Sequence, residues 1–260
     1  MTAAIVLSLF PGADLLGRGF EQAGFCVVRG PDRLLGQSIE AFRCPPGVFS
    51  GIIGGPPCQD FSRARRRPPT GHGREMLLEF LRIVAEARPH WFLIENVPGV
   101  PSVSLAGYRI QRFNLFASDY GLAQKRNRAF QFGSVDGLPL ILMRTRSHFG
   151  RSAPAALAKD PRRLADLCEL QGLPRDFDLP GLCPSAKKRA VGNGVPVPMA
   201  RAVAEAIRDR RPVTLRLCSC GCGRVLDGPK RQRSATVACR KRLERGASSV
   251  KTVSLFGAGW

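Results

Sequence analysis

The sequence predicts an α/β fold: a doubly wound, mostly parallel sheet, followed by a small basic C-terminal module. Three observations predict it. Apolar runs of strand length recur at residues 4–10, 25–28, 48–53 and 91–94, and most are stopped by Gly or Pro. Between them, residues 15–23 and 76–87 carry apolar side chains at helical spacing, which gives the strand–helix alternation of βαβ units. The 260 residues suffice for one such domain and an appendage.

Residues 4–10 read as a first buried strand, Pro11-Gly12-Ala13-Asp14 as a turn, and residues 15–23 as a helix closed by Gly24. That opening is nucleotide-type: backbone N–H groups and a helix N-terminus face a ligand. The second strand, 25–28, ends near Asp32. Its carboxylate either accepts from ribose hydroxyls or belongs to the turn after Gly30-Pro31.

The third run stops at Gly54-Gly55-Pro56-Pro57-Cys58-Gln59. Ligand crevices of open α/β sheets lie at the carboxyl ends of the strands. A cysteine held there by two prolines is presented rigidly, and thiolate attacks electron-poor carbon near neutral pH. Alone, Cys58 reads as a half-buried turn residue; the ordered recurrence of other functional pieces favours the nucleophile. Arg63, Arg65, Arg66 and Arg67 follow, with Arg74 further on and no acid between residues 61 and 74. Directly behind a nucleophile, this run suits a phosphate-gripping loop better than a solvated face.

Residues 76–87 read as a core-facing helix and 91–94 as the next strand. Glu95, at its end beside Asn96-Val97-Pro98-Gly99, is placed for proton work or for capping. Residues 108–113 read as a further strand. If the chain is extended, Gln124, Arg126 and Arg128 share a face, suited to a base edge and phosphates or forming an exposed basic edge. Residues 138–159 show little periodicity. Leu164–Leu170 reads as a short helix, and a last helix runs from Pro198 to about Arg208 after Gly192-Asn193-Gly194-Val195-Pro196.

Forty Lys and Arg against twenty Asp and Glu give a net charge of +20, which points to a polyanionic partner, most simply nucleic acid. From Arg201 onward there are fourteen basic and four acidic residues, as expected of a separate module. The N-terminal run lacks the basic flank and length of a signal peptide, and no stretch is long enough to span a membrane. Nine cysteines, scattered and then clustered, suit a reducing cytoplasm with thiol chemistry and a metal rather than a disulfide framework.

Together, Pro56-Pro57-Cys58-Gln59, Glu95-Asn96-Val97, the Gln-x-Arg-x-Arg pattern of Gln124 to Arg128, and Gly192-Asn193-Gly194-Val195-Pro196 resemble the cytosine-C5 DNA methyltransferase family. Leu9-Phe10-Pro11-Gly12 is a looser match, and the resemblance covers roughly residues 5–207. It implies a class I, Rossmann-like methyltransferase domain over residues 1–210 that uses S-adenosylmethionine and acts on a cytosine flipped out of duplex DNA. It assigns Cys58, Glu95, Arg126 and Arg128 to catalysis. Phe10, Gly12, Asp14, Asp32, Pro57, Asn193 and Val195 fall to the cofactor, and Gln59, Gln124 and the arginine loop to the nucleic acid. A restriction–modification setting also fits.

The chain departs from the family pattern in places. The first motif usually has a glycine pair at Asp14-Leu15 and an acid at Ser8; a third acidic position, serving the adenine, is Ser38 here. The recognition segment, residues 129–163, is short for a domain. An RNA (tRNA) cytosine-C5 methyltransferase sharing this layout is the alternative enzyme, and a catalytically degenerate nucleic-acid-binding protein the non-enzymatic one.

In the tail, Cys218, Cys220, Cys222 and Cys239 supply four thiols, the donor set of tetrahedral zinc. The pattern resembles a zinc ribbon running into a basic helix. The expectation is one structural zinc in residues 211–247 and a flexible tail over 248–260.

Overall fold

A computed structural model of the chain describes residues 4–62, 65, 68–143, 153–157, 159–210, 214–216, 237, 240–241 and 252–254. The chain divides into two compact units, Met1–Asp209 and Arg210–Trp260.

The first unit is built on a six-stranded sheet. In chain order its strands are β1 (Ile5–Leu9), β2 (Cys26–Arg29), β3 (Gly51–Gly54), β4 (Trp91–Asn96), β5 (Arg109–Phe116) and β7 (Asn127–Ser134); a two-residue strand, β6 (Gln124–Lys125), lies outside it. The spatial order is β2-β1-β3-β4-β7-β5. The first four are parallel, and β7 runs antiparallel to both β4 and β5. The chain leaves β1 toward β2 and β3 toward β4, in opposite directions. The switch point, where a ligand crevice opens, therefore lies between β1 and β3.

Alternation along the strands divides the core into two layers. Val6, Ile53, Trp91 and Leu93 face one side with Phe20, Phe130, Phe132, Met199 and Val203. Leu7, Leu9, Ile52, Phe92 and Ile94 face the other with Phe80, Ile83 and Val84. The first layer carries α1 (Leu15–Gln22) and, later in the chain, α5 (Val197–Arg208); the second carries α2 (His72–Ala87). A Cβ on Gly19 would strike Ala200, so glycine lets α1 and α5 pack closely. Phe20, Phe80, Phe92 and Phe130 are fully buried, each stabilising the fold by roughly 1.5–3 kcal/mol.

Helix α2 starts a turn earlier than residues 76–87 predict. Gly71 takes a left-handed N-cap and the Asp60 carboxylate accepts from the Gly73 amide (2.8 Å). The fourth strand also runs past its predicted end, so Glu95 and Asn96 lie inside β4. Residues 129–134, expected in the recognition segment, belong to β7, because Phe130 and Phe132 are core residues. Beyond β7 come the two-residue β8 (Ala153–Pro154), α3 (Leu164–Leu170) and α4 (Pro184–Asn193). In the second unit, β9 (Thr214–Arg216) pairs antiparallel with β10 (Thr252–Ser254). The segment expected to be a flexible tail thus contributes a strand. Among the described residues no helix is long and apolar enough to cross a membrane.

Candidate functional site

The crevice at the switch point holds a cavity of about 290 Å³, close to the lower size bound of small-molecule sites. Phe10, Gly12, Asp32, Pro57, Asn193 and Val195, expected at the cofactor, all line it. The turn after β1 is tightly wound: Phe10, Gly12 and Asp14 have φ of 54°, 55° and 50°. A left-handed non-glycine residue costs on the order of 1–2 kcal/mol, so the surroundings must hold this turn. Asp32 holds one side. Its carboxylate accepts from the Gly12 amide (2.8 Å) and the Leu34 amide (2.6 Å), which ties the turn after β1 to the one after β2.

Asp14 departs from its expected place. It does not line the cavity; its side chain is buried behind the turn, N-caps α1 through the Gly17 amide (3.1 Å), accepts from Ser8 Oγ (2.8 Å) and pairs with Arg29 (2.9 Å). Ser38 stands outside the cavity too, donating to Glu40, whose side chain is on the wall. Sequence reasoning missed Glu40 because it lies two residues past the position the resemblance marks. It also missed Arg189, which shares one face of α4 with Ala186, Ala190 and Asn193.

A second cavity of about 100 Å³ adjoins the first, sharing Gly55, Pro57, Gln59, Glu95 and Asn193 as walls. Cys58 and Arg128 complete it with Pro56, Asn96 and Val97. Glu95 and Arg128 meet diagonally across the β4–β7 pair, one residue short of the Asn96–Ala129 register, and form an ion pair of 2.9 Å. Burial raises the Glu95 pKa, against the pull of Arg128 and Arg126. Burial and the Glu95 charge push the Cys58 thiol up, while Arg128 and Arg126 draw it down. Two cations thus stand ready to stabilise the thiolate once substrate excludes water. Asn96 fixes the cysteine loop: its amide donates to the Pro56 carbonyl (3.0 Å) and its Oδ1 accepts from the Val97 amide (2.9 Å).

Gln124 and Arg126 are not at a nucleic-acid surface; both are 1% exposed. Arg126 donates to the carbonyls of Ala156 (2.8 Å), Gly192 (3.1 Å), Asn193 (3.2 Å) and Gly194 (2.6 Å). Burial pulls its pKa down to about 9, so it stays charged at neutral pH. Gln124 donates to the Leu170 carbonyl and to Gln171 Oε1 (3.2 Å), and accepts from the Ala156 amide. Gln171, which no sequence motif singles out, donates to Val191 O (2.7 Å) and Gly194 O (2.9 Å). This buried network holds the turn that presents Asn193 to both cavities. Arg126 is thus a positioning residue, and Gln124 supports backbone rather than a base.

Of the arginine loop, Arg65 donates to the Asp60 carbonyl; Arg63, Arg66 and Arg67 lie outside the described residues. Asp60 closes the loop's neck by accepting from the Thr70 amide (2.9 Å) and the Gly73 amide. Cys218, Cys220, Cys222 and Cys239 also lie outside the described residues, among which no metal-ligating cluster occurs.

Residues 37–154 match the profile of the C-5 cytosine-specific DNA methylases. The type II methyltransferase M.AquIA of Picosynechococcus is 31% identical over 176 residues, covering 50% of this chain and 71% of that protein. The chain belongs to the C-5 cytosine-specific DNA methylase family. M.AgeI of Thalassovita gelatinovora, another type II methyltransferase, is 32% identical over 169 residues; the match takes in 50% of this chain but only 39% of that longer protein. Among solved structures, the Entamoeba histolytica methyltransferase EhMeth superposes with a TM-score of 0.61 at 12% identity, over 80% of this chain and 99% of that one. At that identity the likeness shows a shared fold. The methylase match takes in Cys58, Glu95 and Arg128, and stops short of the α4–α5 turn that closes both cavities.

Proposed function

We propose that the chain transfers a methyl group from S-adenosylmethionine to C5 of a cytosine flipped out of DNA, through a covalent Cys58 adduct. The observation that carries this is the convergence of Cys58, Glu95 and Arg128 on one small cavity that shares a wall with a ligand-sized one. The larger cavity fits the cofactor: it offers an aromatic face at Phe10, apolar walls at Ile39 and Met76, and two carboxylates, Asp32 and Glu40, for the hydroxyls and amines of an adenosine. S-adenosylmethionine bound there would supply an electrophilic methyl group.

The remaining steps belong to this chain. Cys58 loses its proton and adds to C6 of the base, forming the S–C6 bond and moving the ring electron pair toward C5. Glu95, whose pKa burial raises, shares a proton with N3 and makes the ring a better electron sink. Arg128 stabilises the negative charge that develops on the ring and holds Glu95 in place. Once C5 has taken the methyl group, with S-adenosylhomocysteine as the leaving thioether, loss of the C5 proton to water and departure of the Cys58 thiolate restore the aromatic ring.

The same reading assigns Gln59 and the arginine loop to the DNA around the flipped base. Their position behind Cys58 and the net charge of +20 support it. A zinc bound by Cys218, Cys220, Cys222 and Cys239 would tie the basic residues 240–245 into a cationic face; four clustered thiols in a basic module support that part. The experiment is a methyl-transfer assay with duplex DNA, single-stranded DNA and tRNA as acceptors, using the parent and Cys58→Ala. Transfer to duplex DNA by the parent alone is the expected result. Transfer to tRNA only would redirect the reading to RNA, and transfer to none would overturn it.

A further inference from the structure

Two features that look unrelated in the sequence meet in space. Ser8 stands where an acid is usual in the first motif, and Asp14 where a glycine is usual. In the fold, Ser8 Oγ donates to Asp14 Oδ1 across 2.8 Å, and both residues are buried. We propose that Ser8 and Asp14 act as one positioning unit that presets the cofactor turn, with the carboxylate moved from the strand to the turn.

Asp14 joins three elements. Its carboxylate takes a proton donor from β1 (Ser8), one from α1 (the Gly17 amide) and a cation from β2 (Arg29). Its backbone amide donates to the Pro11 carbonyl (2.6 Å), which closes the turn on itself. Residues 10–13, which line the larger cavity, are thereby bracketed by Asp14 behind and Asp32 beside them. Without such anchors a turn with left-handed residues at 10, 12 and 14 would open.

Geometry explains why the carboxylate can sit on either side. The two side-chain oxygens are a hydrogen bond apart, so an acid at 8 reaching toward 14 would bring its charge to nearly the same place. At φ 50°, ψ 42°, position 14 itself suits glycine better than any other residue. Gly17 records the choice made here: a Cβ on it would run into the Asp14 carboxylate. The pair serves the cavity without touching its contents, so its effect is expected on cofactor affinity and on the order of the turn.

This inference rests on the cofactor reading of the larger cavity for its functional half only. The test uses the full chain with Ser8→Ala, Asp14→Gly and the exchange variant Ser8→Asp/Asp14→Gly. One readout is amide hydrogen exchange of residues 10–16 without ligand; the other is S-adenosylmethionine affinity by calorimetry. Asp14→Gly is expected to speed exchange across the turn and weaken binding by about tenfold, as for the loss of one well-placed charged hydrogen bond. Ser8→Ala should weaken both less, and remains informative should Asp14→Gly fail to fold. The exchange variant should recover slow exchange and most of the affinity. An exchange variant no better ordered than Asp14→Gly, or Ser8→Ala indistinguishable from the parent in both readouts, overturns the proposal. A parent that binds no S-adenosylmethionine refutes the cofactor reading instead, while the exchange measurement still decides the pair.

Discussion

Replacing Arg126 by Ala would remove a donor from four carbonyl oxygens at once, Ala156, Gly192, Asn193 and Gly194, of which Gly194 keeps Gln171. The guanidinium is 1% exposed, so water cannot replace it without entering the core. Each orphaned buried acceptor costs about 1–3 kcal/mol, and removing the ionic partner of a buried polar cluster typically costs about 3–5 kcal/mol in total. The larger sum is reduced because the cation's own burial penalty disappears, so we expect about 3–5 kcal/mol. In a unit of this size each kcal/mol lowers Tm by about 2–4 °C, giving a fall of roughly 6–20 °C. Thermal unfolding followed by circular dichroism measures it, with calorimetric binding of S-adenosylmethionine as a local readout. Arg126→Lys keeps the charge but not the fork, and should fall between. A loss below about 1 kcal/mol with unchanged cofactor affinity would refute the account of Arg126 as the tie beneath the 191–194 turn.

Asn96→Ala frees the Pro56 carbonyl and should cut kcat by about tenfold to a hundredfold with little change in cofactor Kd, since the loop that aims Cys58 loosens; an unchanged kcat would contradict it. Glu95→Gln should abolish most methyl transfer yet leave stability at neutral pH equal or higher. The Glu95 pKa is raised above 4.5 by burial, so the unfolded chain ionises first and stability falls as pH rises from there through the folded value; the neutral amide removes that fall, as denaturant titrations at pH 4 and pH 7 would show. The purified chain should hold about one zinc, and Cys222→Ser or Cys239→Ser should release it and weaken DNA binding while S-adenosylmethionine still binds. Elemental analysis without zinc would refute the tail assignment.

The parallel half of the sheet was legible because its strands are continuous apolar runs ended by Gly and Pro. Alternation carries that information, and Val6 and Leu7 do go to opposite layers. Helix α4 was not legible: its sequence is largely polar, and four residues of one face, Arg189 among them, turn toward a cavity rather than a core. For the site, residue type and order pointed to Cys58, Glu95 and Arg128, which the fold brings to one cavity. Contacts that depend on folding back were invisible. The alternation of Gln124, Arg126 and Arg128 told which side chains share a face, not that Ala156 and Gln171 would enclose Gln124 and a turn more than sixty residues later would cover Arg126. Likewise Asp14 read as a ligand to the cofactor because nothing local shows that Ser8 and Arg29 occupy its carboxylate.

The central claim is the covalent Cys58 adduct, and a duplex carrying 5-fluorocytosine at a methylated position tests it most directly. Fluorine at C5 cannot leave as a proton does, so the adduct formed after methyl transfer persists. With S-adenosylmethionine present, the parent chain should form a denaturation-resistant complex whose peptide map places the base on Cys58, and Cys58→Ala should form none. An adduct of equal yield in Cys58→Ala, or one mapped to another cysteine, would contradict the account.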